Sequence, residues 1–361
     1  MINMEKIDEL SKIEGENLIT IYLNVNKKNI SPLVLKTKVK DLFKETDFSE
    51  AKKKNIEDKI LNYLSGINPN TKSVGIFASE NYWLTCGLHG EIGDYLSVDY
   101  VFNLKPLTMF LSEGKNIGIL LLDNKSARFF SLYQWELEGY KHFEDKILPR
   151  QENGGWSQEC FEHRREEYVK SHLKRSADFL VKAYNFYKFE HLFLRKDPEI
   201  TNQFINILPK EIKNKIRGEI AIDMDTPAQG IISKVMELDK SEVKKEETGL
   251  IEQLENALKD RIRHRAISGM DNVFSKFYDN KVDSLLINED FSERGFYCQF
   301  CGYLSVENQF CPYCQSVAVR VKDIISVLIK KAIERNITVN IFKDDLALKR
   351  LGNIAAFIKE Y

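Results

Sequence analysis

At 361 residues, with 43% hydrophobic and 30% charged positions, the chain has material for two or three compact domains. Its 53 Lys and Arg against 54 Asp and Glu exclude the whole-chain basic field of a nucleic-acid binder, so any RNA contact must come from local patches. The longest apolar stretches, such as Ile117 to Leu122, are too short to span a bilayer, and a soluble cytoplasmic protein with no membrane partner is expected.

Ile19, Ile21, Leu23 and Val25 alternate with Leu18, Thr20, Tyr22 and Asn24, the period-two pattern of a strand. A lysine-rich helical stretch from about Leu33 to Leu64 and a strand at Ser73 to Ser79 complete a first α/β unit. Asn116 to Leu122 and Ala127 to Gln134 read as a hairpin across the turn-prone Asp123-Asn124-Lys125. A long charged helix from Glu159 to Tyr187 follows, with strands near His191 and at Glu219 to Met224. Leu250, Ile251, Leu254, Ala257 and Leu258 keep helical spacing in a third unit that opens near Met236. That unit continues with a strand at Val282 to Ile287, a helix at Ile324 to Ile333 and a strand at Thr338 to Phe342. Alternating helices and strands favour α/β layering throughout. The expected domains are 1–111, 112–235 and 236–361. No internal repeat is visible, and the Lys240 to Glu247 run reads as a solvated helix or hinge.

Two constellations carry chemistry. The first is Cys298-Gln-Phe-Cys301, nine intervening residues, then Cys311-Pro-Tyr-Cys314. Each C-x-x-C supplies two thiolates from one tight turn, and two such turns complete a closed tetrahedral shell, so the four cysteines are expected to bind one structural zinc ion in a ribbon over 296–316. A redox dithiol would instead need one pair beside a helix start. The remaining cysteines, Cys86 and Cys160, stand alone, which suits a reducing compartment.

The second is Pro149 to Gln158, which reads Pro-Arg-Gln-Glu-Asn-Gly-Gly-Trp-Ser-Gln and directly precedes the long helix carrying His163, Arg164, Arg165, Lys170, Lys174 and Arg175. Gly154 and Gly155 free the backbone for close approach to another molecule, Trp156 offers a stacking surface and Gln158 an amide. Taken alone, a flexible turn before a helix also explains the glycines, and a charged helix is usually a solvated face.

The hairpin, Gly-Gly loop and basic helix across Ile117 to Tyr184 resemble the central domain of the archaeo-eukaryotic class-1 peptide release factors. In that family a Gly-Gly-Gln loop at this place enters the ribosomal peptidyl-transferase centre. Leu18 to Val25 is similar to the strand that opens the family's first domain, and Gly352 to Ile358 to its terminal strand. The chain is more similar still to the bacterial proteins built on this plan, relatives also of Pelota and of the Vms1-like ribosome-rescue hydrolases. The resemblance implies a three-domain α/β architecture with a zinc ribbon inserted in the third domain. It also implies a ribosome-associated peptidyl-tRNA hydrolase acting in the A site, with Gly154, Gly155, Trp156, Ser157 and Gln158 as catalytic loop. Arg150, Arg164, Arg165, Lys170 and Lys174 would contact ribosomal RNA, and a translational GTPase is a candidate partner.

Two departures qualify this. Trp156 stands where the family has glutamine, so water would be oriented by the Trp156 N–H or by Gln158 two residues on. The Asn-Ile-Lys-Ser loop of stop-codon readers is absent from Lys36 to Lys59, which points to rescue or storage of ribosomes rather than routine termination. The rival reading is a non-catalytic A-site protein, Pelota-like or a hibernation factor, with Trp156 stacked on an RNA base. Cys160 and His163 read as residues flanking the loop and Asp223 and Asp225 as turn acids, while Arg261, Arg263, His264 and Arg265 form a small basic cluster that could face either RNA or protein.

Overall fold

The computed structural model describes residues 4–26, 32–44, 46, 48–68, 71–88, 90–113, 115–145, 156–260, 265–343 and 345–359; of 156–162 it describes the backbone only. The chain forms two compact units, Met1–Ser112 together with Glu247–Tyr361, and Glu113–Glu246.

The N-terminal segment runs α1 (Met4–Ser11), β1 (Glu14–Asn24), α2 (Pro32–Phe43), α3 (Glu50–Ser65), β2 (Ser73–Ala78), β3 (Trp83–Leu88), β4 (Tyr95–Val101) and α4 (Lys105–Glu113). Its antiparallel sheet has the order β3-β2-β1-β4. The alternation read in β1 is a division between two cores. Ile19, Ile21 and Leu23 pack with Val39, Phe43 and Ile60, while Leu18 and Tyr22 pack with Phe77, Leu104 and Leu107. Where one helical stretch was expected there are two helices, because Ser49 caps a new one by accepting from Lys52 N. β3 and β4 carry no clear signal in the sequence, since most of their residues are only partly buried and lack a clean apolar alternation.

The central unit contains β5 (Asn116–Leu122), β6 (Ser126–Tyr133), β7 (Glu136–Glu144), α5 (Trp156–Tyr187), β8 (His191–Arg195), α6 (Ile200–Ile207), α7 (Lys210–Lys213), β9 (Ile216–Ile220) and the first part of α8 (Ala228–Lys259). Its sheet has the order β7-β6-β5-β8-β9, with β5, β8 and β9 parallel and β6 and β7 antiparallel. Asp123 Oδ1 accepts from Lys125 N and Ser126 N, which fixes the turn of the expected hairpin. β9 lies at 216–220 rather than at 219–224, and β7 is a third strand on the hairpin, polar and exposed as an edge strand can be. Leu173, Ala177 and Leu180 of α5 cover one sheet face with Phe129, and Ile231, Ile232 and Val235 of α8 cover the other with Ile119.

The C-terminal segment adds β10 (Ala266–Ser268), α9 (Met270–Tyr278), β11 (Val282–Asn288), β12 (Gly295–Tyr297), β13 (Leu304–Ser305), β14 (Val319–Val321), α10 (Ile324–Glu334), β15 (Thr338–Phe342), α11 (Leu346–Arg350) and β16 (Ile354–Ile358). One sheet has the order β10-β16-β11-β15 and a smaller one β13-β12-β14. Ile251 and Leu254, later in α8, pack with Leu286 and Ala355 of this segment. The N- and C-terminal segments meet through Glu14, whose carboxylate accepts from Lys330 and from Lys331 Nζ at 2.9 Å and from Tyr297 Oη at 3.2 Å. Asp99 Oδ2 adds bonds from Lys322 N at 2.9 Å and Asp323 N at 3.0 Å. Among the described residues no helix is long and apolar enough to cross a membrane.

Candidate metal centre and central-domain loop

The four cysteines of the ribbon converge. Their sulfurs all lie within 4.8 Å of one another, with Cys298 to Cys314 at 3.4 Å and Cys301 to Cys311 at 3.3 Å. Both C-x-x-C turns use the same backbone device. Cys298 N donates to Tyr303 O at 2.9 Å and Gly302 N to Cys298 O at 2.8 Å; in the second turn Cys311 N donates to Ser316 O and Gln315 N to Cys311 O, both at 2.9 Å. The fifth residue of each turn is left-handed, Gly302 at φ 78° and Gln315 at φ 59°. Glycine holds that conformation without strain, whereas glutamine does so at a cost of about 1 kcal/mol.

A tetrahedral ion with metal–sulfur bonds of ~2.3 Å needs sulfurs about 3.8 Å apart. The spacing therefore fits a single ion, and this is the one group of three or more such ligands among the described residues. Hydrogen bonds from Ser316 hold the exposed Cys314 thiol down to about 6, while burial pushes Cys298 up and Cys301 up to about 12. Metal binding must displace the protons of the raised thiols. The small sheet frames the cluster and reaches beyond the expected 296–316, from Gly295 to Val321.

Three tyrosines flank the cluster, a group the sequence did not single out. Tyr278, at the end of α9, stacks on Tyr313 at 4.4 Å between centroids, and Tyr303 touches Tyr313 at 4.7 Å and Tyr278 at 5.3 Å. Tyr303 and Tyr313 could have been found by their nearness to the cysteines. Tyr278 comes from a separate helix and carries no such signal.

In the central unit, Arg150, Gly154 and Gly155 lie outside the described residues, as do the side chains of Trp156, Ser157 and Gln158 and of Cys160. The backbone of α5 begins at Trp156, so the Trp156 N–H belongs to the first helical turn, whose N–H groups have no intrahelical acceptor. Arg164, Lys170 and Lys174 are exposed and Arg165 is half-buried. At about 100° per residue, Lys170 and Lys174 share a face, while Arg165 falls on the opposite side of the helix from Lys174. These cations therefore do not form one stripe.

Sequence reading also passed over an anchor at the base of the loop. Asp145, just past the end of β7, accepts from His172 Nδ1 at 2.6 Å and from Arg175 Nη2 at 2.7 Å. A carboxylate can only accept, so Nδ1 carries the proton. The Arg175 guanidinium also lies 4.9 Å over the Phe143 ring. His172 is fully buried, although the helix read as a solvated basic face.

Residues 103–240 match the model of bacterial archaeo-eukaryotic release factor family 10, a segment that contains the hairpin, the loop and all of α5. That segment, 138 of the 361 residues, is similar to the bacterial archaeo-eukaryotic release factors. A peptide chain release factor subunit 1-2 from Methanosarcina acetivorans is 33% identical over 94 residues, 26% of this chain and 23% of that protein, so the aligned segment spans about a quarter of this curated relative. Among solved structures, this chain is similar to the archaeal translation termination factor aRF1, at 16% identity and TM-score 0.28, covering 99% of both chains. It is also similar to Archaeoglobus fulgidus Pelota, at 14% identity and TM-score 0.35, covering 99% of this chain and 92% of that one.

Proposed function

We propose that this release-factor-like protein enters the ribosomal A site and hydrolyses the peptidyl-tRNA ester in the peptidyl-transferase centre without reading a stop codon. One observation carries the reading: the family-matched segment 103–240 holds Gly154-Gly155-Trp156-Ser157-Gln158 at the start of α5, where the family places its Gly-Gly-Gln loop. Ester cleavage needs a water in line with the carbonyl and a donor for the developing oxyanion. The glycines give the loop its close approach, and the Trp156 N–H or the Gln158 amide orients the water. Arg150, ahead of the helix in the chain, and Arg164, Arg165, Lys170 and Lys174, on more than one side of it, contact ribosomal RNA phosphates, as a protein enclosed in an RNA cavity requires. The three segments 1–111, 112–235 and 236–361 act as domains, and a translational GTPase delivers the protein.

Zinc is the ion we assign to Cys298, Cys301, Cys311 and Cys314. Four thiolates leave no open position, so the ion braces the third domain and supplies no chemistry to hydrolysis.

Trp156 in place of the family glutamine favours one rival, a non-catalytic A-site protein that rescues or stores ribosomes and stacks Trp156 on a base. Purified protein incubated with stalled ribosomes carrying labelled peptidyl-tRNA separates the two. Release is expected from the wild type, lost in Gly155→Ala and reduced in Gln158→Ala. Tight ribosome binding with no release by the wild type would establish the rival.

A further inference from the structure

β4 is an edge strand, the outer member of the order β3-β2-β1-β4, and all of Tyr95–Val101 lines a cleft of about 990 Å³. The opposite walls come from α2 and the stretch after it (Lys38, Leu42, Phe48) and from the chain leading out of the ribbon into α10 (Arg320, Lys322). Every one of these residues belongs to the unit formed by Met1–Ser112 and Glu247–Tyr361. An edge strand leaves alternate N–H and C=O groups unpaired, a template for another strand. Among the described residues, β4 has a ladder with β1 alone, and Tyr100 N turns back onto Asp99 Oδ1 at 2.8 Å. On the same wall the Ser97 hydroxyl is buried without a hydrogen-bond partner.

The cleft also has an apolar strip, and although its lining carries five acids, Glu16, Asp41, Asp94, Asp99 and Asp323, against three cations, Lys38, Arg320 and Lys322, its unpaired charges lean the other way. Leu42, Phe48, Leu96 and Val98 are partly buried against the N-terminal core. Asp94 is paired with Lys38 at 2.7 Å and Asp41 with Lys44 at 2.6 Å. Asp99 is occupied by the N–H groups of Lys322 and Asp323, and Asp323 by Ile325 N and the Ser326 hydroxyl. Arg320 and Lys322 are exposed and have no acidic partner among the described residues, against one acid, Glu16, in the same condition.

From the open edge, the apolar strip and the two unpaired cations, we propose that this cleft binds an extended segment of a partner polypeptide as an added strand on β4, with an acidic side chain of that segment against Arg320 and Lys322. Seven strand residues reach about 23 Å at ~3.3 Å each, which sets the length of the segment bound. Main-chain hydrogen bonds to β4 provide affinity, and alternate side chains on the Leu96 and Val98 face select apolar residues. RNA suits the cleft less well. Its phosphates repeat along the strand, whereas the free cations stand at one end and Asp41, Asp94 and Glu16 share the walls. The inference is independent of the hydrolase reading.

A fluorescein-labelled heptapeptide of alternating valine and threonine ending in two aspartates, titrated against the full-length zinc-loaded protein, should bind more tightly than its counterpart ending in two lysines. Amide hydrogen exchange at Tyr95–Val101 should slow on binding. Arg320→Glu with Lys322→Glu should weaken the acidic peptide roughly tenfold and reverse the preference. Zinc content and circular dichroism check that this variant folds, and Arg320→Gln with Lys322→Gln should give a smaller loss without reversal. Failure of both peptides to bind, slowed exchange confined to other strands, or tighter binding of an oligouridylate than of the acidic peptide would each overturn the proposal.

Discussion

Lys330 is 1% exposed in the middle of α10, a position that a lysine occupies only with partners for its charge. Glu14 from β1 and Glu334 one turn along the helix provide them, and Lys331 joins the same carboxylates. Burial by itself raises the Glu14 pKa, but the hydrogen bonds from Lys330 and Lys331 outweigh it and hold the carboxyl below its ordinary 4.5. A carboxyl depressed in the folded state means that the unfolded chain binds the extra proton. Its contribution is therefore complete above pH 4.5 and is lost as the pH falls through the folded value. Glu14→Gln should lower stability at pH 7 by about 2 kcal/mol, since it removes a charged acceptor from a buried ammonium that keeps Glu334. It should also flatten the acid limb, and urea unfolding at pH 7 and pH 4 measures both. An unchanged acid limb would mean that Glu14 does not carry this dependence.

At the scale of elements, the ribbon is the clearest case of local sequence dictating local structure. Two C-x-x-C turns close with identical backbone bonds, and the strands they frame are only two or three residues long. So small a sheet has little apolar core, and an ion held by the four cysteines would supply on the order of 10 kcal/mol of its folding free energy. Cys298→Ser, or a strong chelator, should release the ion and lower the melting temperature of the unit containing the ribbon, with a change in near-ultraviolet dichroism from Tyr278, Tyr303 and Tyr313. Peptide release should persist wherever ribosome binding does, because four thiolates leave an ion no open position for chemistry. Loss of release with binding intact would unite the two sites. β7 shows the reverse. Six of its nine residues are exposed and no clean apolar alternation marks it, so pairing with β6 makes it a strand.

For the whole molecule, net charge near zero forces any ribosome affinity onto local cations, and those we propose are chiefly on α5. Cosedimentation with ribosomes should weaken as salt rises, and Lys170→Ala with Lys174→Ala should both reduce binding and make the salt dependence shallower by about two ions released, one per phosphate contact. A steep dependence unchanged by these substitutions would move the contact surface away from α5. The N- and C-terminal segments, with the 134 residues of the central unit between them in the chain, are joined at Glu14 and Asp99, which explains why they form one compact unit.

By itself the sequence determined the four-cysteine cluster, the hairpin at Asp123, the alternation of β1 and the resemblance that the family match over 103–240 bears out. Each depends on residues close in the chain, where spacing alone sets geometry. Tertiary structure decided what depends on distant partners. It buried Lys330 because Glu14 arrives from the other end of the chain, buried His172 because Asp145 meets it at the foot of the loop, and brought Tyr278 against the ribbon from another helix. It also left β4 on an open edge, since which strand lacks a neighbour is a property of the sheet and of no single strand.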